Sequence, residues 1–156
     1  LVDAELLRFF ILNKTKEQNS TIELEEVMKQ DNTNPYWYIQ YAYARASQIL
    51  AKYQEEHELP TKVELIDDAV DSELALSKEM IDFEDKIEIS ASSREPFVLI
   101  TYVKALANAF HSFYNSNVVI SEDKDLMRKR IILLISFRNL MSKAFDLLGI
   151  KPKEKM

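Results

Sequence analysis

Asn34-Pro35-Tyr36-Trp37-Tyr38-Ile39-Gln40-Tyr41-Ala42-Tyr43-Ala44-Arg45-Ala46-Ser47-Gln48-Ile49-Leu50-Ala51-Lys52-Tyr53 decides the fold class. Tyr36, Ile39, Tyr43, Ala46, Leu50 and Tyr53 repeat at alternating spacings of three and four. That period places them on one side of an α-helix, facing a core. Pro35 suits the first helical position, where its missing N–H costs nothing, and Asn34 suits the N-cap before it. The helix is expected to run to about Glu56. Tyr38, Tyr41, Arg45 and Gln48 fall on a different face, again at helical spacing.

The same pattern recurs in both directions. Ala4–Leu12 reads as a short helix. Ser20-Thr21-Ile22-Glu23 has the form of a capping box, with a helix from about Ile22 to Lys29 after it. Beyond the long helix, 57–71 reads as a connection with helical character around Val63–Val70. Ser72 can cap a helix over about Glu73–Phe83, and a further piece covers Glu84–Ala91. Ser92-Ser93-Arg94-Glu95-Pro96 opens a helix to about Asn115 with Leu99, Val103, Leu106, Phe110 and Phe113 as its core stripe. Ser121 is the expected cap of a last helix, Glu122–Leu148, whose seam is Met127, Ile131, Leu134, Met141, Phe145 and Leu148. Gly149 is its stop, and Pro152 prevents continuation. The expected architecture is all-α, one helical bundle of five to seven helices, occupying 1–156 as a single domain.

Composition removes whole classes of chemistry. The 156 residues include no cysteine, so there are no disulfides, thiolate metal sites or cysteine nucleophiles. A single glycine, Gly149, leaves no Gly-rich phosphate loop and argues against a β-rich fold. With only His57 and His111, and no Glu-x-x-His pair, no metal site is expected. Ser112 beside His111 does not make a catalytic pair, because helix neighbours point about 100° apart. No apolar run reaches the roughly 18–20 residues needed to cross a membrane, and no signal-peptide layout is present. A start at Leu1 rather than Met suggests a processed chain or a fragment, and a cytoplasmic setting is expected.

The formal charge of −6 conceals a dipolar chain. Glu55–Glu95 carries fourteen acids against four bases, a net of −10. Leu126–Met156 carries eight bases, Arg128, Lys129, Arg130, Arg138, Lys143, Lys151, Lys153 and Lys155, against Asp146 and Glu154. The acidic middle fits a solvated face; the basic part is either ordinary surface charge or a surface that meets phosphate. Four of the seven tyrosines lie within Tyr36–Tyr43. Exposed tyrosines beside Gln40 and Arg45 can stack on unpaired bases, whereas buried ones are core or interface.

Four ordered blocks resemble the C-terminal anticodon-binding domain of arginyl-tRNA synthetases, the DALR-type helical bundle. Glu5-Leu6-Leu7-Arg8-Phe9-Phe10 is similar to the Asp-Ala-Leu-Arg-Phe signature, with Glu for Asp and Leu for Ala. Asn34–Arg45 is similar to Asn-Pro-x-x-Tyr-x-Gln-Tyr-Ala-His-Ala-Arg, with Tyr43 where His is usual. Ala109-Phe110-His111-Ser112-Phe113-Tyr114-Asn115 is similar to Ala-Phe-His-x-Phe-Tyr-Asn. Leu147-Leu148-Gly149-Ile150 with Glu154-Lys155-Met156 is similar to Leu-Leu-Gly-Val and Glu-Arg-Met.

The resemblance implies binding of the tRNA(Arg) anticodon stem and loop, with selection through the middle and third anticodon bases. It implies that Tyr38, Tyr41 and Tyr114 contact splayed loop nucleotides and that the terminal carboxylate of Met156 approaches the loop. Asn34, Gln40, Arg45, His111 and Asn115 match motif positions, in support or in direct contact. A carboxylate can accept from a cytosine amino group. The family's ATP- and Mg-dependent attachment of arginine belongs to a catalytic domain with His-Ile-Gly-His and Lys-Met-Ser-Lys-Ser-like motifs. Neither occurs here, so this chain is not expected to aminoacylate alone. Its partners would be the tRNA and the synthetase's own catalytic domain. Two other readings remain: a helical protein–protein interaction module built on the tyrosine face, and the DALR domain of a cysteinyl enzyme or a glycyl β chain.

Overall fold

The computed structural model describes residues 3–17, 21–61 and 68–156. In chain order the helices are α1 (Ala4–Leu12), α2 (Leu24–Met28), α3 (Pro35–Gln54), α4 (Asp71–Ile81), α5 (Phe83–Ser93), α6 (Pro96–Ser116) and α7 (Lys124–Leu148). Among the described residues there is no strand. The fold class is all-α, as the periodicity predicts.

The long helices α3, α6 and α7 pack on one another, with α4 and α5 against α6 and α1 closing one end. All three predicted stripes are buried in full, from Tyr36 to Tyr53, from Leu99 to Phe113 and from Met127 to Leu148. Phe110 and Phe137 stack at the centre with ring centroids 4.5 Å apart. Tyr43 packs tilted on Phe145 at 5.7 Å, so the residue that departs from the motif is a core contact between α3 and α7. Phe9 meets Tyr36 edge-to-face at 5.6 Å and ties α1 to the start of α3. Full burial of a side chain of this size stabilises a fold by about 1.5–3 kcal/mol.

The caps account for most departures from the predicted boundaries. Asn34 caps α3 as expected, its Oδ1 accepting from the Tyr36 amide. Helix α2 begins at Leu24, with Glu23 as an N-cap that makes no side-chain bond. Glu23 is therefore not the third residue of a capping box, and Ser20 lies outside the described residues. Ser72 does not cap α4. Helix α4 starts two residues earlier, because the Glu73 carboxylate reaches back to the Val70 amide at 3.1 Å. Asp123, not Ser121, caps α7, its carboxylate accepting from the Asp125 and Leu126 amides. A carboxylate also suits the positive end of the helix dipole better than a hydroxyl does. Gly149 ends α7 at φ +66°, in the left-handed region glycine favours. Most of the helical stretch expected around Val63–Val70 lies outside the described residues; Val70 itself is the N-cap of α4.

Candidate nucleic-acid interface

Helices α3 and α6 lie side by side and bring the off-core tyrosines of one against the aromatic residues of the other. Tyr38 and Tyr41 are both half-buried. The His111 imidazole sits between them, 4.6 Å from the Tyr38 ring centroid and nearly parallel to Tyr41 at 5.8 Å. The Tyr38 hydroxyl donates to Asn108 Oδ1 at 3.3 Å. Burial pushes the Tyr38 phenol above its usual range, so it stays protonated and neutral. Burial also pulls His111 down, a hydrogen bond to the Tyr38 backbone opposes this, and the nearby Arg45 charge adds to it. His111 is thus held neutral, and its Nε2 is buried without a protein partner.

Arg45 continues the row. Its guanidinium donates to the Tyr41 hydroxyl and, at 3.4 Å, to the Tyr114 hydroxyl. It lies 5.1 and 5.2 Å from the centroids of the same two rings. Arg45 therefore spans α3 and α6 through two phenols rather than pairing with a helix acid. The bond it donates to Tyr41 raises its already high pKa, so it remains a cation. Tyr38, His111, Tyr41, Arg45 and Tyr114 together make a ladder of ring faces with one fixed positive charge. Beyond Tyr114 the ladder opens into a groove of about 730 Å³, lined by Arg45, Gln48 and Lys52 from α3 and by Asn115, Asn117 and Val118 from the end of α6 and the chain after it. Such a surface offers stacking platforms, a cation for phosphate and amide groups for base edges.

Asn34 and Gln40 have a different task. Both are buried, and their amides are already engaged. Asn34 Nδ2 donates to the Glu26, Val27 and Lys29 carbonyls and so fixes the end of α2 to the start of α3. Gln40 Nε2 donates to the Lys151 carbonyl at 2.8 Å, while its Oε1 accepts from the Lys153 amide at 2.9 Å. Through these bonds Asn34 ties α2 to α3, and Gln40 ties α3 to the chain after α7.

Gln40 is one part of a clamp on the basic tail. Arg8 Nη1 donates to the Gly149 carbonyl at 2.7 Å, and the Glu5 carboxylate accepts from the Lys151 amide at 3.2 Å. Lys153 Nζ lies 4.4 Å from the Trp37 ring centroid. Residues 149–153 are thereby laid across α1 and α3. Met156 is exposed three residues further on, within about 10 Å of extended chain.

Sequence reasoning missed the clamp, although Glu5 and Arg8 belong to the first motif block. The contacts join residues more than a hundred positions apart, which periodicity within one helix does not register. It also misplaced Arg130. That residue is buried and paired to Glu73 at 2.7 Å, so it is not part of a phosphate-facing surface. Among the described residues no group of three or more His, Asp or Glu is placed to hold a metal, and no helix is long and apolar enough to cross a membrane.

A family model described as the DALR anticodon binding domain matches residues 39–156, which include the groove, the tail and all of the aromatic ladder but Tyr38. The chain belongs to the DALR anticodon-binding domain family. This DALR domain is 34% identical to the arginine–tRNA ligase of Nitrosomonas europaea over 157 residues, covering 99% of this chain and 26% of that protein. It is 35% identical to the arginine–tRNA ligase of Acetivibrio thermocellus over 158 residues, covering 99% of this chain and 28% of that one. The chain thus spans about a quarter of the length of these curated relatives. Among solved structures, the Thermus thermophilus arginyl-tRNA synthetase superimposes with a TM-score of 0.81 at 28% identity, covering 97% of this chain and 26% of that one. The Plasmodium falciparum arginyl-tRNA synthetase shares the fold at a TM-score of 0.75 and 22% identity, with 97% and 26% covered.

Proposed function

We propose that this DALR domain binds the anticodon stem and loop of an arginine tRNA and serves an arginine–tRNA ligase of the cytoplasm. The observation that carries the reading is the Arg45 bridge between Tyr41 and Tyr114, which fixes two ring platforms and a cation on one face. Tyr38, Tyr41 and Tyr114 stack on unpaired loop bases. Arg45, with Lys52 in the groove beside it, meets phosphate, and Asn115 and the Met156 end of the tail reach base edges. Neutral His111 fills the space between two stacking rings without adding a second charge beside Arg45. Asn34 and Gln40 hold the frame.

In this reading 1–156 is one domain, and the rest of the ligase is its second partner. Activation of arginine with ATP and Mg takes place on that catalytic domain, and no step of it passes through the residues described above. The identity to arginine–tRNA ligases supports this over a cysteinyl or glycyl β-chain relative.

The test is binding of a synthetic arginine-tRNA anticodon stem-loop, followed by fluorescence anisotropy across a salt series. Loss of one base–aromatic stack weakens binding by roughly 5- to 150-fold, from about 1–3 kcal/mol per base. Tyr38→Ala and Tyr41→Ala are each expected to fall in that range with the helical signal unchanged. Affinity should decline linearly on a log–log plot against salt, because phosphate contacts release counterions. Two variants that bind like the parent chain would remove the stacking role. Salt-independent binding would instead identify the tyrosine face as a protein–protein surface.

A further inference from the structure

The groove beside Tyr114 has one wall on α3 and another made by the short chain segment after α6. That second wall is not part of a helix. Asn117 ends α6 in an extended conformation, φ −136° and ψ 140°, and α7 does not begin until Lys124. Val119 anchors the wall in the core, whereas Val118 beside it is strongly exposed, so the polar groups of Asn117 and Val118 need support of their own.

The support comes from α7. Arg130 projects from that helix into the bundle and spreads its guanidinium over three partners. Nε donates to Glu73 Oε1 at 2.7 Å, Nη1 to the Val118 carbonyl at 2.8 Å, and Nη2 to Asn117 Oδ1 at 2.8 Å. The Asn117 amide passes the connection on, with Nδ2 donating to Ser72 Oγ at 2.8 Å and to the Phe113 carbonyl at 2.7 Å. The second oxygen of Glu73 accepts from the Val70 amide at the start of α4. One buried cation thus fixes α4, α7 and the groove wall to one another. A planar fork with five donors can hold two acceptors of a loop at a set angle, which a lysine point charge cannot do.

We propose that the buried Glu73–Arg130 pair is a positioning device for the RNA-binding groove: it sets where Asn117 and Val118 stand opposite Arg45 and Tyr114. The proposal rests on the reading of this face as the anticodon site. Neither residue touches RNA. Stability alone is a weak reason for a buried ion pair, since apolar replacements are often neutral or better. What an apolar replacement does not supply is a donor for the Val118 carbonyl and for Asn117 Oδ1.

The experiment uses the full chain and the same anticodon stem-loop. In Glu73→Gln/Arg130→Met both charges are removed together, and the glutamine can still accept from the Val70 amide. The variant is expected to stay folded, to show lower backbone N–H order parameters at Val118 and Val119, and to bind the hairpin at least about tenfold more weakly with an unchanged salt slope. A slope reduced by about one would mean that Arg130 contacts a phosphate itself, which overturns the proposal. Parent-like affinity in a folded variant overturns it as well. If the double variant does not fold, Asn117→Ala decides, because it cuts one arm of the fork and strands no buried charge. It must show the same lowered order parameters and weaker binding, and parent-like values refute the device. Failure of the parent chain to bind the hairpin would refute the anticodon reading instead, and unchanged order parameters at Val118 and Val119 would then refute the positioning role separately.

Discussion

Replacing Gln40 with methionine tests whether the tail is held where the clamp places it. The side chain keeps its approximate length and loses both polar ends. Two hydrogen bonds to the tail disappear, 2.8 Å to the Lys151 carbonyl and 2.9 Å from the Lys153 amide. The weaker donation to the Tyr36 hydroxyl at 3.4 Å goes with them. A bond of this kind contributes about 0.5–1.5 kcal/mol net, so the docked tail loses about 1–3 kcal/mol against its released form. That is roughly a 5- to 150-fold shift in the ratio of docked to released tail. The tail groups lie near the surface and regain water on release, so the change is local. The Arg8 bond to Gly149 and the burial of Ile150 hold the chain up to that point, and the melting temperature should move little. The assay is amide hydrogen exchange at Lys153, expected to accelerate by that factor while the amides of α6 and α7 stay protected. Hairpin binding should weaken in parallel, because Lys153 and the tail end after it are no longer held by α3. A Lys153 amide as protected in Gln40→Met as in the parent chain would refute the clamp.

Two further outcomes follow from single residues. His111 is held below its usual value of 6.5 by burial, so the unfolded chain takes up that proton more readily than the folded one. Stability should therefore rise with pH between the lowered folded value and about 6.5, and fall as the solution is acidified below it. Urea midpoints measured between about pH 5.5 and 7 should show this slope in the parent chain and a flatter one in His111→Gln; identical slopes would remove the histidine from the account. In Gly149→Ala, a methyl group would stand 2.5 Å from Arg8 Nη1 on a backbone at φ +66°. The left-handed conformation alone costs about 1–2 kcal/mol, a drop in Tm of roughly 2–8 °C for a chain of this size. An unchanged melt would show that the Arg8–Gly149 contact and the helix stop are not under the constraint described.

The aromatic face was legible in the sequence to different degrees. Tyr38 and Tyr41 stood out because they fall off an unbroken core stripe, and a helix leaves such residues nowhere to go but a second face. His111 and Tyr114 stand three apart, a spacing that puts them on the same side of α6. Their meeting with Tyr38, Tyr41 and Arg45 was not readable from spacing, since it depends on how α3 and α6 cross. Gln40 and Asn34 matched motif positions equally well, yet both are buried and fully bonded. A motif position records only that a residue type is needed there, and a buried amide that ties two segments together satisfies that need as well as one that touches a ligand. Arg130 looked like one more base in a basic run. Its burial follows from Glu73, 57 residues earlier, in a segment whose charge suggested a solvated face.

By itself the sequence determined an all-α bundle of five to seven helices, the segments of the long ones to within a few residues, which of their faces are buried, and where α7 stops. Those properties depend on the 3.6-residue period, on proline and glycine geometry and on capping groups, all local to a few consecutive residues. Tertiary structure alone decided the Arg45 bridge between two helices, the clamp of Glu5, Arg8 and Gln40 on the tail, and the guanidinium fork behind the groove. Each of these is a short-range polar contact. Such contacts form only after apolar burial has brought distant segments within about 3 Å, and no local pattern marks which residues will meet.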